Sequence, residues 1–147
     1  MTYVNFDIYF LEFDIALHAL KSKERLSIWR TFSGLGYIKL LESTRHLLID
    51  DIKEFPELIS SSLIDWIILI MSGEHRLTER EIEIVDQIIA HSIDYIPELK
   101  IVKLYLDTYR SYFVGGNKTA MFSLPKEQRL FFSSKILNNQ DIKYVGN

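Results

Sequence analysis

The sequence predicts an all-α fold, a single compact bundle of six or seven helices spanning residues 1–147. Three observations predict it. Apolar residues recur at spacings of three and four along most of the chain, which is the period of a helix face. Prolines and paired glycines fall between those stretches and punctuate them. A chain of 147 residues, 48% apolar and 25% charged, buries roughly 70% of its unfolded surface and needs no metal or disulfide to hold it. No internal repeat, low-complexity tract or linker divides it, so one domain is expected.

The first segment, Tyr3 to Leu20, places Tyr3, Phe6, Phe10, Phe13, Leu17 and Leu20 on one helical stripe. Its β-branched and aromatic residues, Val4, Ile8 and Tyr9, leave a strand open at the first positions. A second helix is expected over Lys23 to Phe32, broken by Gly34 and Gly36. The third covers Tyr37 to Phe55 and ends before Pro56, which disfavours helical geometry in the residue preceding it. Pro56 in turn suits the first turn of a fourth helix, Glu57 to Met71. That helix is apolar nearly all round at its C-terminal end, so a central position is expected. Asp65 interrupts it beside Trp66, and if buried it requires a cation or several donors.

Thr78 and Glu81 form a capping-box pattern that opens the fifth helix. Ile82, Val85, Ile89 and Ile93 mark its inner face, and Glu79, Arg80, Glu83, Asp86 and Gln87 are left outside. The sixth helix starts at Pro97 and stops at Gly115 and Gly116. Pro125 opens a last helix through Leu137, ended by Asn138 and Asn139, with a frayed tail from about residue 140.

Several function classes are excluded or disfavoured by composition. The chain has no cysteine, which removes disulfides, thiol catalysis and thiolate metal sites and suits a reducing cytoplasm. No secretory signal is read at the N-terminus, because acidic residues interrupt the apolar stretch. The longest apolar run, Leu63 to Met71, is far short of the about 20 residues a membrane span requires. Nucleophile-elbow, zinc-protease and calcium-loop patterns are absent. Gly115-Gly116-Asn117-Lys118-Thr119 lacks the glycine directly before the lysine that a phosphate-binding loop requires. No catalytic residue, metal or cofactor is therefore assigned.

Charge is distributed unevenly. Residues 1–49 hold six Lys and Arg against five Asp and Glu, a balance of +1; residues 50–98 hold three against twelve, a balance of −9. Residues 99–147 hold eight against three, a balance of +5, which returns the net charge of −3. A field of this kind steers a partner of opposite charge and speeds association. Two plainer explanations compete. Acidic residues favour helix N-termini, and the basic last third could fold against the acidic middle and neutralise it.

Two further constellations suggest other chemistry. Glu42, His46 and Asp50 lie at i, i+4 and i+8 on the third helix and share a face. A histidine between carboxylates can act as a base or a metal ligand, and His75 stands beside Glu74. Basic residues from Lys100 to Arg129 interleave with Tyr105, Tyr109, Tyr112, Phe122 and Phe131, the composition of a single-strand nucleic-acid groove. The negative whole-chain charge opposes that reading.

The stretch Met71-Ser72-Gly73-Glu74-His75-Arg76-Leu77-Thr78-Glu79-Arg80-Glu81-Ile82 resembles the helix–loop–helix turn of tellurite-resistance TerB-like helical domains. The resemblance implies an all-helical fold of similar length.

The leading expectation is a non-enzymatic cytoplasmic binding protein. Its class would be an immunity or antitoxin-type inhibitor that neutralises a basic toxin, such as a nuclease, through an acidic helical surface. The expected partner-binding residues are Asp50, Asp51, Glu54, Glu74, Glu79, Glu83 and Asp86. The alternatives are a metal-binding or hydrolytic helical domain and a nucleic-acid module in the last third.

Overall fold

A computed structural model describes residues 14–31 and 36–137. Among the described residues there are seven α-helices and no strand. They are α1 (residues 14–19), α2 (Ser22–Trp29), α3 (Gly36–Glu54), α4 (Pro56–Ser72), α5 (Glu79–Ser92), α6 (Leu99–Tyr109) and α7 (Lys126–Phe131). The all-α expectation holds. The predicted first helix before residue 14, the end of the second at Phe32 and the tail from Asn138 lie outside the described residues.

The helix boundaries follow backbone chemistry. Pro56 occupies the first position of α4, where no N–H partner is lost. Thr78 caps α5: its hydroxyl accepts from the Glu81 N–H, and the Glu81 carboxylate accepts from the Thr78 N–H at 2.7 Å. α6 begins two residues later than Pro97, because residues 97–98 form a tighter turn closed by Leu99 N–H to Ile96 and Lys100 N–H to Pro97.

Two features had no counterpart in the sequence pattern. α6 widens into a π-turn over Arg110–Val114, and α7 does the same over Phe132–Ile136. Gly115 closes the first of these, donating to the Arg110 carbonyl at 3.0 Å. A Cβ there would sit 2.8 Å from the Ser111 carbonyl oxygen, so the closing residue must be glycine unless the backbone shifts. A short 3₁₀ turn, Ala120–Ser123, then leads to α7.

α4 occupies the centre, packing against α2, α3, α6 and the second π-turn. Ile59, Leu63, Trp66, Ile67, Ile70 and Met71 are its buried residues. The central position is as expected, but Asp65 is exposed rather than buried. It lies on the one wet stripe of α4 with Leu58, Ser61 and Leu69, so it needs no buried cation. No helix among the described residues is long and apolar enough to cross a membrane.

The strongest polar tie joins the first three helices. Arg25 on α2 donates Nε to Asp51 Oδ2 at 2.7 Å and Nη2 to Asp51 Oδ1 at 2.8 Å, a bidentate fork. Trp29 donates its indole N–H to the same Oδ2 at 2.6 Å. The remaining guanidinium nitrogen reaches the Leu20 carbonyl at 2.6 Å, just beyond the C-terminus of α1, where a cation is favoured. The hydrogen bond to Asp51 raises the Arg25 pKa against the opposing effect of burial, and the charges of Asp51, Asp50 and Glu54 reinforce it. Ser22 also donates to Glu54, so α2 runs antiparallel to α3. α1 runs parallel to α3, with the Ser43 hydroxyl on Asp14 and the His18 ring near His46.

Candidate functional site

Seven carboxylates were expected to share an outward surface, and the fold sorts them. Asp51 does not belong to it. It is fully buried and committed to Arg25 and Trp29. Its place on the apolar stripe of α3, three residues after Leu48, turns it inward while Asp50 faces solvent.

Glu79, Glu83 and Asp86 are brought together by α5, where they fall one turn apart on its outer face. α3 and α6 flank that face. On one side Arg80 Nε approaches Glu42 on α3 at 3.3 Å, and its Nη1 approaches Glu83 at 3.0 Å. On the other side Arg110 Nε lies 3.1 Å from Glu79 and its Nη1 4.0 Å from Asp86. Lys103 bridges Asp86 and Asp107, both at 2.8 Å. Burial lowers the Lys103 pKa, but hydrogen bonds to Asp107 and Asp86 outweigh it and the net shift is upward. These pairs also fix α5 and α6 antiparallel.

The basic last third does therefore fold against part of the acidic middle, through Lys103 and Arg110. The ion pairs described along this edge hold more carboxylates than cations. Glu42, Glu79, Glu83, Asp86 and Asp107 are five carboxylates facing three cations, Arg80, Lys103 and Arg110. The side chains stay accessible, at 48% for Glu42, 58% for Glu79, 51% for Glu83 and 28% for Asp86. Exposed pairs of this kind contribute about 0–1 kcal/mol each, so an incoming guanidinium can replace them at little cost.

Asp50 and Glu54 lie exposed toward the far end of α3, and Glu74 lies exposed in the turn between α4 and α5. Among the described residues no ion pair or hydrogen bond ties them to the α5 group. Glu42 and Asp107 were missed as members of the surface. The i, i+4 pair Lys103–Asp107 was a local signal for a charged edge on α6; nothing local pointed from Glu42 to Arg80.

The turn carrying Glu74 is anchored from α6. The Leu77 N–H donates to the buried Tyr109 hydroxyl at 2.9 Å. Replacing Tyr109 with phenylalanine leaves that buried N–H unpaired, and a loss of about 1–3 kcal/mol is expected in urea unfolding. A loss below a few tenths would mean that water reaches the amide.

The other constellations resolve differently. Glu42, His46 and Asp50 are all exposed on α3, and His75 and His91 are exposed elsewhere. Among the described residues no group of three or more His, Cys, Asp or Glu side chains is placed to hold a metal ion. In the last third, Tyr105, Tyr109 and Tyr112 are buried. Lys118 sits over Tyr112 at 4.3 Å and Arg76 over Phe113 at 4.8 Å, so cation–π contacts within the chain take up Tyr112 and Phe113, while Tyr105 stacks on Phe131.

No known family model matches this chain, and no characterised protein or solved structure does so significantly.

Proposed function

We propose that this domain is a non-enzymatic binding protein that engages a basic partner protein through the carboxylate edge of α3, α5 and α6. The observation that carries the reading is that five carboxylates meet three cations in the ion pairs described along that edge. The three cations space the carboxylates and stop them repelling one another outright. A partner presenting arginines gains bidentate contacts and releases the weak internal pairs. Asp50, Glu54 and Glu74 extend the field around the edge and steer the approach.

Immunity and antitoxin-type inhibitors of basic toxins are the class that this reading fits best. They act by covering a cationic cleft, with carboxylates standing where nucleic-acid phosphates would bind. A cysteine-free chain suits the reducing cytoplasm in which such an inhibitor would meet its toxin. Kinship with TerB-like helical domains, read from the Met71–Ile82 turn, belongs to the same proposal.

The test is affinity capture from the native host at low ionic strength, followed by association kinetics with the captured protein. The partner is expected to be basic. Combining Asp50→Lys, Glu74→Lys and Glu83→Lys should slow association about tenfold or more and flatten its salt dependence. Helix content by circular dichroism should not change. An acidic partner, or wild-type association by the triple variant, removes the reading.

A further inference from the structure

Two imidazoles meet where α1 lies along α3. The ring centroids of His18 and His46 are 5.5 Å apart, with the planes inclined at 45°. Both side chains face solvent. His18 is held from behind. Its Nδ1 lies 2.9 Å from the Asp14 carbonyl oxygen and 3.0 Å from Asp14 Oδ1. Both neighbours are acceptors, so in the neutral ring Nδ1 carries the proton and Nε2 carries the lone pair. The Ser43 hydroxyl donates to Asp14 Oδ2 at 2.6 Å and fixes the carboxylate from α3. Asp14 Oδ1 is buried and receives no well-aligned hydrogen bond among the described residues. The Nδ1–H therefore goes to the carbonyl, with Asp14 Oδ1 3.0 Å from the same nitrogen.

This is the arrangement that orients a metal-binding histidine: a carbonyl and a carboxylate on one nitrogen, the other nitrogen with no partner among the described residues. The separation of the two rings fits the same chemistry. With a metal–nitrogen bond of about 2.0–2.1 Å, a ring centroid lies about 3.2 Å from the metal, and two such arms at the tetrahedral angle put centroids about 5.2 Å apart. The observed 5.5 Å is within a few tenths of an ångström of that span.

We propose that His18 and His46 form a two-imidazole chelate for a divalent transition ion of the zinc class, bridging α1 and α3. Imidazole selects zinc, nickel and copper over the hard ions calcium and magnesium. The protein supplies two ligands and water completes the shell, so the affinity is well below that of a closed four-ligand structural site. Binding would couple to the packing of α1 on α3, since both helices must be in place to present both rings. The proposal is independent of the anionic edge on α5 and does not require a partner protein.

Calorimetric titration of the untagged chain with zinc chloride and with nickel sulfate tests it. One site is expected, with affinity reduced tenfold or more by His18→Gln and by His46→Gln. His75→Gln and His91→Gln should leave it unchanged. Asp14→Asn should weaken it about 10–100-fold, as loss of an outer-shell carboxylate does. Magnesium and calcium should give no heat. Zinc should also raise the thermal midpoint of the wild type and not of His46→Gln, with circular dichroism confirming that both are folded. Absence of zinc binding by the folded wild type up to millimolar concentration overturns the proposal. So does binding that survives both His18→Gln and His46→Gln.

Discussion

Replacing Asp51 with alanine is expected to destabilise the fold by about 3–5 kcal/mol, the cost of removing one partner from a buried ion pair. For a domain of this size that lowers the thermal midpoint by about 10 °C or more. Two donors lose their acceptor at once. The Arg25 guanidinium would be left buried with only the carbonyl groups of Leu20 and Leu17, and the Trp29 indole N–H would lose its bond. Arg25→Ala is expected to cost as much, because the Asp51 carboxylate would be buried with no opposite charge beside it. Asp51→Asn keeps the size and one acceptor, so it should fall between these and the wild type. The informative variant is the double replacement Arg25→Met with Asp51→Leu. A buried pair exchanged for apolar residues of similar volume is often neutral, so this variant should recover most of the loss. Urea unfolding followed by circular dichroism measures all four. A cost under 1 kcal/mol for Asp51→Ala would mean that water reaches the pair.

The same aspartate shows what the sequence could and could not reveal. By charge and position alone, Asp50 and Asp51 count as equivalent members of an acidic patch. Successive helical residues differ by about 100° in direction, so at the border of a buried stripe one neighbour can face inward while the other faces out. Ile38, Leu41, Thr44, Leu48 and Ile52 are buried along α3, and Asp51 falls on that stripe while Asp50 does not. The local signal for its burial was therefore present. Its partners were not legible, because Arg25 and Trp29 lie on a different helix and no periodicity specifies which helices will pack together. The helix ends were legible, since Pro56 and the Thr78–Glu81 box act within one turn. The π-turns were not. An extra residue per turn depends on how Tyr109, Tyr112 and Phe113 pack once α6 is docked. The ion pairs of the candidate edge divide in the same way. Lys103–Asp107 is local and readable, whereas Glu42–Arg80 depends on α3 and α5 meeting.

The second large effect is expected at Trp66, beside a residue where almost none is expected. Trp66 is 1% exposed on the central helix α4, which packs against α2, α3, α6 and the second π-turn. Trp66→Ala removes the largest side chain of α4 and opens a cavity that several elements would have to collapse to fill. The expected cost is about 3–5 kcal/mol. Asp65→Ala, one position earlier, should change stability by no more than about 0.5 kcal/mol, because that carboxylate is exposed on the stripe shared with Leu58, Ser61 and Leu69. The pair of measurements fixes the rotation of α4 about its own axis. Had Asp65 been the inward residue, as its apolar neighbours suggest, it would need a cation, and its removal would be costly while that of Trp66 would be mild. Ser61, Ser62 and Ser72 fall on or beside the Asp65 stripe and Ser60 on the opposite side, so most of the polar residues mark the wet side of a helix whose average composition reads as wholly buried. Denaturation curves in which Asp65→Ala costs more than Trp66→Ala would reverse that orientation and, with it, the placement of α4 at the centre of the bundle.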